Sequence, residues 1–304
     1  MSALSRPQAN FILLFVALIW GSAFVAQSLG MKQIGPFAFT GTRFLLGALI
    51  VLPLAIREYR RLAQRGQSFT PREWRGCLGL GVLLFFGAAF QQIGIISTTV
   101  TNAGFFTALY VPLVPLLGWL IFRHLPHWSA WPANVACLVG TWMLGGGDIS
   151  ALNKGDFWIL ASTIFWAAHV LFVGRVAAEK GAPITVAITQ FIVCGVLSLL
   201  WAAIAEPVSL AQLQAASLSI IYAGILSVGV AFTLQVVAQR HTHAADAAII
   251  LSAETLFAAI AGALFLHETL NPLQLGGCLL ILAGILAVQL VPLAQKAFAR
   301  RCDS

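Results

Sequence analysis

Residues 241–268 read HTHAADAAIILSAETLFAAIAGALFLHE, and this stretch decides the class of the whole chain. Between Ala244 and Leu266 one fully charged side chain, Glu254, stands well inside an apolar run. At about 1.5 Å per residue such a helix crosses a hydrocarbon core of about 30 Å, with Glu254 about 13 Å from the Asp246 end. A carboxylate near the midplane costs roughly 2.5 kcal/mol or more. It must face a polar cavity, pair with a cation or take up a proton. Residues 97–124, STTVTNAGFFTALYVPLVPLLGWLIFRH, form a partner stretch 144 positions earlier. There Asn102 stands opposite Asp246, Tyr110 opposite Glu254, Gly118 opposite Gly262 and His124 opposite Glu268.

The composition agrees. The 304 residues are 60% hydrophobic and 9% charged, with mean hydropathy +0.91, whereas a soluble domain carries about 25% charged residues. Apolar runs of about 20 residues recur, without the period-two alternation of a barrel, so the expected class is an all-α, multi-pass membrane protein. Ten spans are expected: 10–29, 36–56, 76–96, 102–122, 129–146, 156–174, 183–204, 215–238, 244–266 and 272–291. The first resembles a signal peptide only superficially and is read as retained. Pro36, Pro183 and Pro272 start helices, Asp156 is read as a cap, and the longest loop is REYRRLAQRGQSFTPREWR.

Fourteen Lys and Arg fall on the N-terminal side: Arg6, six from Arg57 to Arg75, Arg123, Arg175, Lys180, Arg240, Lys296, Arg300 and Arg301. Lys32 and Lys154 face the other way, and Arg43 lies within a span. The bias places both termini in the cytoplasm, and the expected location is the cell's inner membrane. Because the positive charge is confined to loops, the bilayer is the expected partner and nucleic acid is not. The five cysteines are scattered and read as packing residues.

The repeat extends along the chain. Trp20 matches Trp166, Arg43 matches Gln190, Phe44 matches Phe191, Gln91 matches Gln235 and Gly140 matches Gly284, at offsets of 144 to 147. Residues 1–146 and 155–291 therefore read as two copies of a five-helix unit, with 292–304 a cytoplasmic tail. Five is odd, so the second copy enters the membrane inverted. Inverted repeats with a midplane site between them are a transporter architecture.

The stretches ALIWGSAF, TRFLLGALIVLP and NAGFFTALYVPLVPLLGWLIFRH, followed by KGDFWILASTIFWA and ETLFAAIAGALFLHETLNPLQLGGCLLILAGI, resemble the EamA family of the drug/metabolite transporter superfamily. The resemblance covers nearly the whole chain. It implies ten spans from two five-span repeats, both ends cytoplasmic, and ATP-independent movement of small metabolites, often amino acids. The chain departs from the family's pattern at His124, where the first copy often has Glu, and at Thr255, where Pro often follows the membrane Glu.

Eight residues are candidates for substrate binding or coupling. Glu254 is the candidate proton carrier. Arg43 could bind a substrate carboxylate, pair with Glu254 or snorkel outward. His169 could relay protons or hydrogen-bond between helices. Gln91 and Gln235, with Gln92 and Gln190 beside them, could line a polar path or join helices. Trp20, Tyr110 and Trp166 lie away from the interfacial belts and could stack on a substrate or fill the core. Pro112 and Pro115 could kink the fourth helix. His241, His243 and Asp246 match no well-defined zinc spacing, and P-loop, GxSxG and HExxH are absent, so no metal, cofactor or enzymatic activity is expected. The expectation is a secondary transporter, an exporter of small metabolites such as amino acids. Alternating access occurs between helices one to four and six to nine, possible proton coupling runs through Glu254, and helices five and ten are peripheral or a homodimer contact. The alternative is a membrane-embedded enzyme acting on lipid-linked substrates.

Overall fold

The computed structural model describes residues 4–123, 128–144 and 153–302, so His124 and positions 145–146 lie outside the described residues. Helices alone are found among them, with no strand. In chain order they are α1 Arg6–Gly30, α2 Pro36–Gln64, α3 Pro71–Ile95, α4 Val100–Phe122, α5 Ala130–Leu144, α6 Lys154–Lys180, α7 Pro183–Ala205, α8 Ser217–Gln239, α9 Ala244–Leu266 and α10 Pro272–Cys302. A six-residue helix, Leu210–Ala215, precedes α8. Among the described residues eight helices, α1 to α4 and α6 to α9, are long and apolar enough to cross a membrane. The sequence expects ten spans, and the difference lies in two helices. α5 has 15 described residues, and of α10 the apolar run that is fully described is Pro272–Ala287.

Local chemistry explains the ends. Ser5 with Gln8, Thr70 with Glu73 and Asn153 with Asp156 close capping boxes at the starts of α1, α3 and α6. Asp156 is therefore the third helical residue and Asn153 the cap, which corrects the sequence assignment. The expected long loop after the second span is mostly helix. Its charged residues continue α2 to Gln64, and α3 begins at Pro71, so only 65–70 connect them.

The two halves engage each other reciprocally. The Glu206 carboxylate, at the end of α7, accepts hydrogen bonds of 2.8 Å from the amides of Phe37 and Ala38 at the start of α2. The Glu58 carboxylate, near the end of α2, accepts from the amides of Ile184 (3.3 Å) and Thr185 (2.7 Å) at the start of α7. Helices α2 and α7 thus run antiparallel, each capping the other. A second crosswise pair has the same form. Thr98 donates to Asp156 at 2.7 Å, and Thr242, its partner at the 144-residue offset, donates to Asn10 at 3.1 Å. Arg123 and His267, also 144 apart, end α4 and α9 in the left-handed region (φ 56° and 57°).

α5 and α10 pack on each other through the repeat-related glycines. A Cβ on Gly140 would stand 2.7 Å from the Gly277 carbonyl oxygen, and one on Gly284 would stand 2.9 Å from that of Ala133. Only glycine permits this approach.

Candidate functional site

Three interruptions of regular helix surround one internal space. α4 breaks at Leu109, between Val100–Ala108 and Tyr110–Phe122. Pro112 has no N–H to offer the Ala108 carbonyl, which explains the break. α9 breaks at Ser252, between Ala244–Leu251 and Ala253–Leu266, without a proline. There the Ser252 hydroxyl donates to the Ile249 carbonyl at 2.6 Å. The breaks fall immediately before Tyr110 and two residues before Glu254. In α8 the segment Ala223–Phe232 is a π-helix, a form concentrated at functional sites.

The space is a cavity of about 40 Å³, lined from α1 by Trp20, Phe24 and Gln27, from α2 by Arg43 and from α3 by Gln91. Thr107 and Tyr110 of α4, Trp166 and Val170 of α6, Ser227, Phe232 and Gln235 of α8, and Glu254 of α9 complete the wall. Seven of the eight sequence candidates are therefore brought together: Glu254, Arg43, Trp20, Tyr110, Trp166, Gln91 and Gln235. The eighth, His169, lies behind the wall. It is fully buried, shares a 2.7 Å hydrogen bond with Gln190 and stands edge-on to Trp166. Gln92 and Gln190 also lie off the lining, and α7 supports the wall without contributing to it.

The charges are unpaired. Among the described residues neither Arg43 nor Glu254 forms an ion pair, and each is 4% exposed. Arg43 does not snorkel. Its guanidinium lies 5.5 Å from the Phe39 ring centre and 5.2 Å from that of Phe44. Arg43 Nε, Tyr110 OH, Trp166 Nε1, Gln27 Oε1 and both amide atoms of Gln235 are buried without a hydrogen-bond partner. Buried unpaired donors and acceptors each cost about 1–3 kcal/mol, so the wall carries polar groups for which the packed chain supplies no partner. By contrast Trp20 Nε1 is engaged with the Ser227 carbonyl at 3.2 Å, and Gln91 donates to the Thr107 hydroxyl at 2.9 Å.

Phe232 holds the aromatic side of the wall together, and sequence reasoning missed it. Its ring centre lies 4.5 Å from Trp20, 5.7 Å from Phe44, 6.0 Å from Trp166 and 6.2 Å from Phe191. Nothing marks it among the 21 phenylalanines of the chain. Gln27 was also missed, although a lone amide within an apolar span was a usable signal.

A larger vestibule of about 560 Å³ shares one wall residue, Val170, with the cavity. Its wall includes Arg6, Arg175, Arg240 and His243, with Asp246 held by Arg6 at 2.6 Å. The opposite end of the bundle is filled by a buried apolar cluster including Phe24, Ile95, Val100, Phe105 and Ala258. There the Glu268 carboxylate accepts from the amides of Val100 (3.2 Å) and Thr101 (3.3 Å) and from the Thr101 hydroxyl. No three His, Cys, Asp or Glu side chains converge on a metal position among the described residues.

The model of the EamA-like transporter family matches residues 8–146 and 153–290. An uncharacterized transporter of Archaeoglobus fulgidus is 30% identical over 285 residues, covering 94% of this chain and 87% of its own. The threonine/homoserine exporter RhtA of Escherichia coli K12 is 28% identical over 274 residues, covering 87% of this chain and 85% of its own. A solved crystal structure aligns over 94% of this chain and 99% of its own, with a TM-score of 0.74 at 18% identity, a likeness of fold. With both halves matched in order, the chain belongs to the EamA-like transporter family, of the drug/metabolite transporter superfamily.

Proposed function

We propose that this transporter exports small zwitterionic metabolites, amino acids among them, from the cytoplasm by alternating access, with proton coupling at Glu254. It would cross the inner membrane ten times as two inverted five-helix repeats, both termini cytoplasmic. The crosswise caps of Glu58 and Glu206 support the inversion, since a pseudo-two-fold axis makes each contact occur twice. The placement of Arg6, Arg175 and Arg240 around one vestibule supports a cytoplasmic orientation for that end.

One observation carries the reading. A buried cation, Arg43, and a buried acid, Glu254, line one cavity between the halves without pairing with each other. Such a cavity offers a carboxylate its guanidinium and an ammonium group its acid. At about 40 Å³ it holds little more than one water, whereas small-ligand pockets span about 300–1,000 Å³. The state described is thus closed around the site, and binding requires the discontinuous α4 and α9 to move. The name of the relative RhtA supports amino acids as substrates.

Counterflow in proteoliposomes with labelled amino acids and small organic cations tests this. Amino acids should exchange through the wild-type protein and not through Arg43→Gln. Equal exchange of the corresponding amines lacking a carboxylate, or exchange unaffected by Arg43→Gln, would overturn it.

A further inference from the structure

The vestibule carries charge that the duplication does not account for. Among the described residues, Arg175 and Arg240 form no ion pair, while Asp246 is engaged by Arg6. The Arg175 guanidinium rests 3.3 Å from the centre of the Phe122 ring, which orients it without neutralising it. Arg240 Nε is buried without a hydrogen-bond partner. Beside it, Gln239 is 4% exposed; its amide nitrogen is taken by the Val170 carbonyl at 3.0 Å, and its Oε1 is left without a partner. Two cationic forks and one orphan acceptor thus share one wall of a 560 Å³ space.

The repeat partners of these residues are apolar. At the established offsets Gln239 and Arg240 correspond to Ile95 and Ile96, and Arg175 corresponds to Leu29. Ile95 is buried in the apolar cluster that fills the opposite end. Among the described residues this pair of arginines with its glutamine is therefore present at one end only. Charges that merely set topology need only sit in loops near span ends. These instead line a space that shares a wall residue, Val170, with the cavity.

We infer that the vestibule is a loading site for the carboxylate of a small organic solute, with Arg240 and Arg175 as its donors and Gln239 Oε1 accepting from an N–H of the same molecule. This rests on the carrier reading above and deepens it. The solute meets arginine twice, first at this mouth and then at Arg43. Among the described residues the opposite end offers no such pair of arginines, so apparent affinity is higher from the basic end.

Protection of an introduced cysteine tests the loading site without requiring transport. Cys77, Cys137, Cys194 and Cys278 are buried, so Ala178→Cys, on the vestibule wall, in a Cys302→Ser background reports on this space through its rate of reaction with a membrane-impermeant maleimide. L-threonine is the probe, and 1-amino-2-propanol, the same skeleton without the carboxylate, is the control. Threonine should slow labelling and the amine should not. Arg175→Gln and Arg240→Gln should each raise the half-protecting concentration about tenfold, as expected for loss of a charge-assisted hydrogen bond. Arg175 is exposed, so its variant tests the site even if Arg240→Gln disturbs folding. Protection by both compounds alike, by neither, or unchanged in both variants overturns the inference. So does labelling slowed by anionic phospholipid alone with no further effect of threonine, which would assign the arginines to a lipid headgroup. Because labelling needs no turnover, protection without counterflow would fault the carrier reading alone, and counterflow without protection would fault the loading site alone.

Discussion

Replacing Glu206 by alanine removes both 2.8 Å bonds to the amides of Phe37 and Ala38 and leaves the first turn of α2 without its acidic cap. Pro36 starts that helix and has no N–H, so these two amides are the first donors needing a partner. Glu206 is partly exposed, so water replaces it in part, and the loss is that of a good N-terminal cap, about 1–2 kcal/mol. At about 2–4 °C per kcal/mol for a chain near this size, the midpoint of thermal unfolding in detergent should fall by about 2–8 °C. Glu58→Ala should cost as much or slightly more, since its carboxylate also accepts from the Thr185 hydroxyl at 2.9 Å. The two caps sit at opposite ends of the α2–α7 pair and share no partner, so the double variant should lose the sum. A double variant no less stable than either single one, or one cap without cost, would refute the reciprocal engagement of the halves.

Gly87 faces Trp166, and a Cβ there would stand 3.2 Å from the indole ring. Gly87→Val should push that ring toward the cavity, cut exchange several-fold and cost about 1–3 kcal/mol as overpacking, as read by counterflow beside thermal unfolding. Gln190→Leu leaves the buried His169 without its 2.7 Å partner. It should cost about 1–3 kcal/mol while leaving the pH dependence of transport in place, because His169 is off the lining. Phe232→Ala should cost about 3–5 kcal/mol as a core truncation and broaden the range of solutes exchanged, measured by competition in the counterflow assay.

Much of the cavity was legible because its residues violate the composition around them. Glu254 and Arg43 are charges inside apolar runs, and Trp20, Trp166, Gln91 and Gln235 recur at the repeat offset. These rest on patterns a single sequence carries. Phe232 does not, because an aromatic residue in an apolar helix is ordinary until three-dimensional packing puts it at the centre of four other rings. The π-helix is equally silent. Its register depends on close contact with α2, where a Cβ on Gly47 would stand 2.9 Å from the Gly224 carbonyl. The kink signal concerned α4 alone, where Pro112 explains the break at Leu109; the matching break at Ser252 in α9 contains no proline and had no signal of that kind. The orientation of Arg43 depended on tertiary contacts as well. Its side chain turns inward between Phe39 and Phe44 instead of reaching the membrane surface.

Coupling through Glu254 is the central claim, and its most direct test is threonine accumulation driven by an imposed pH gradient in proteoliposomes, wild type beside Glu254→Gln. The account predicts that wild type accumulates threonine against its gradient. Glu254→Gln should lose this accumulation while still exchanging labelled for unlabelled threonine in counterflow, at a higher half-saturating concentration because the ammonium group loses its acid. Gradient-driven accumulation undiminished in Glu254→Gln would contradict it.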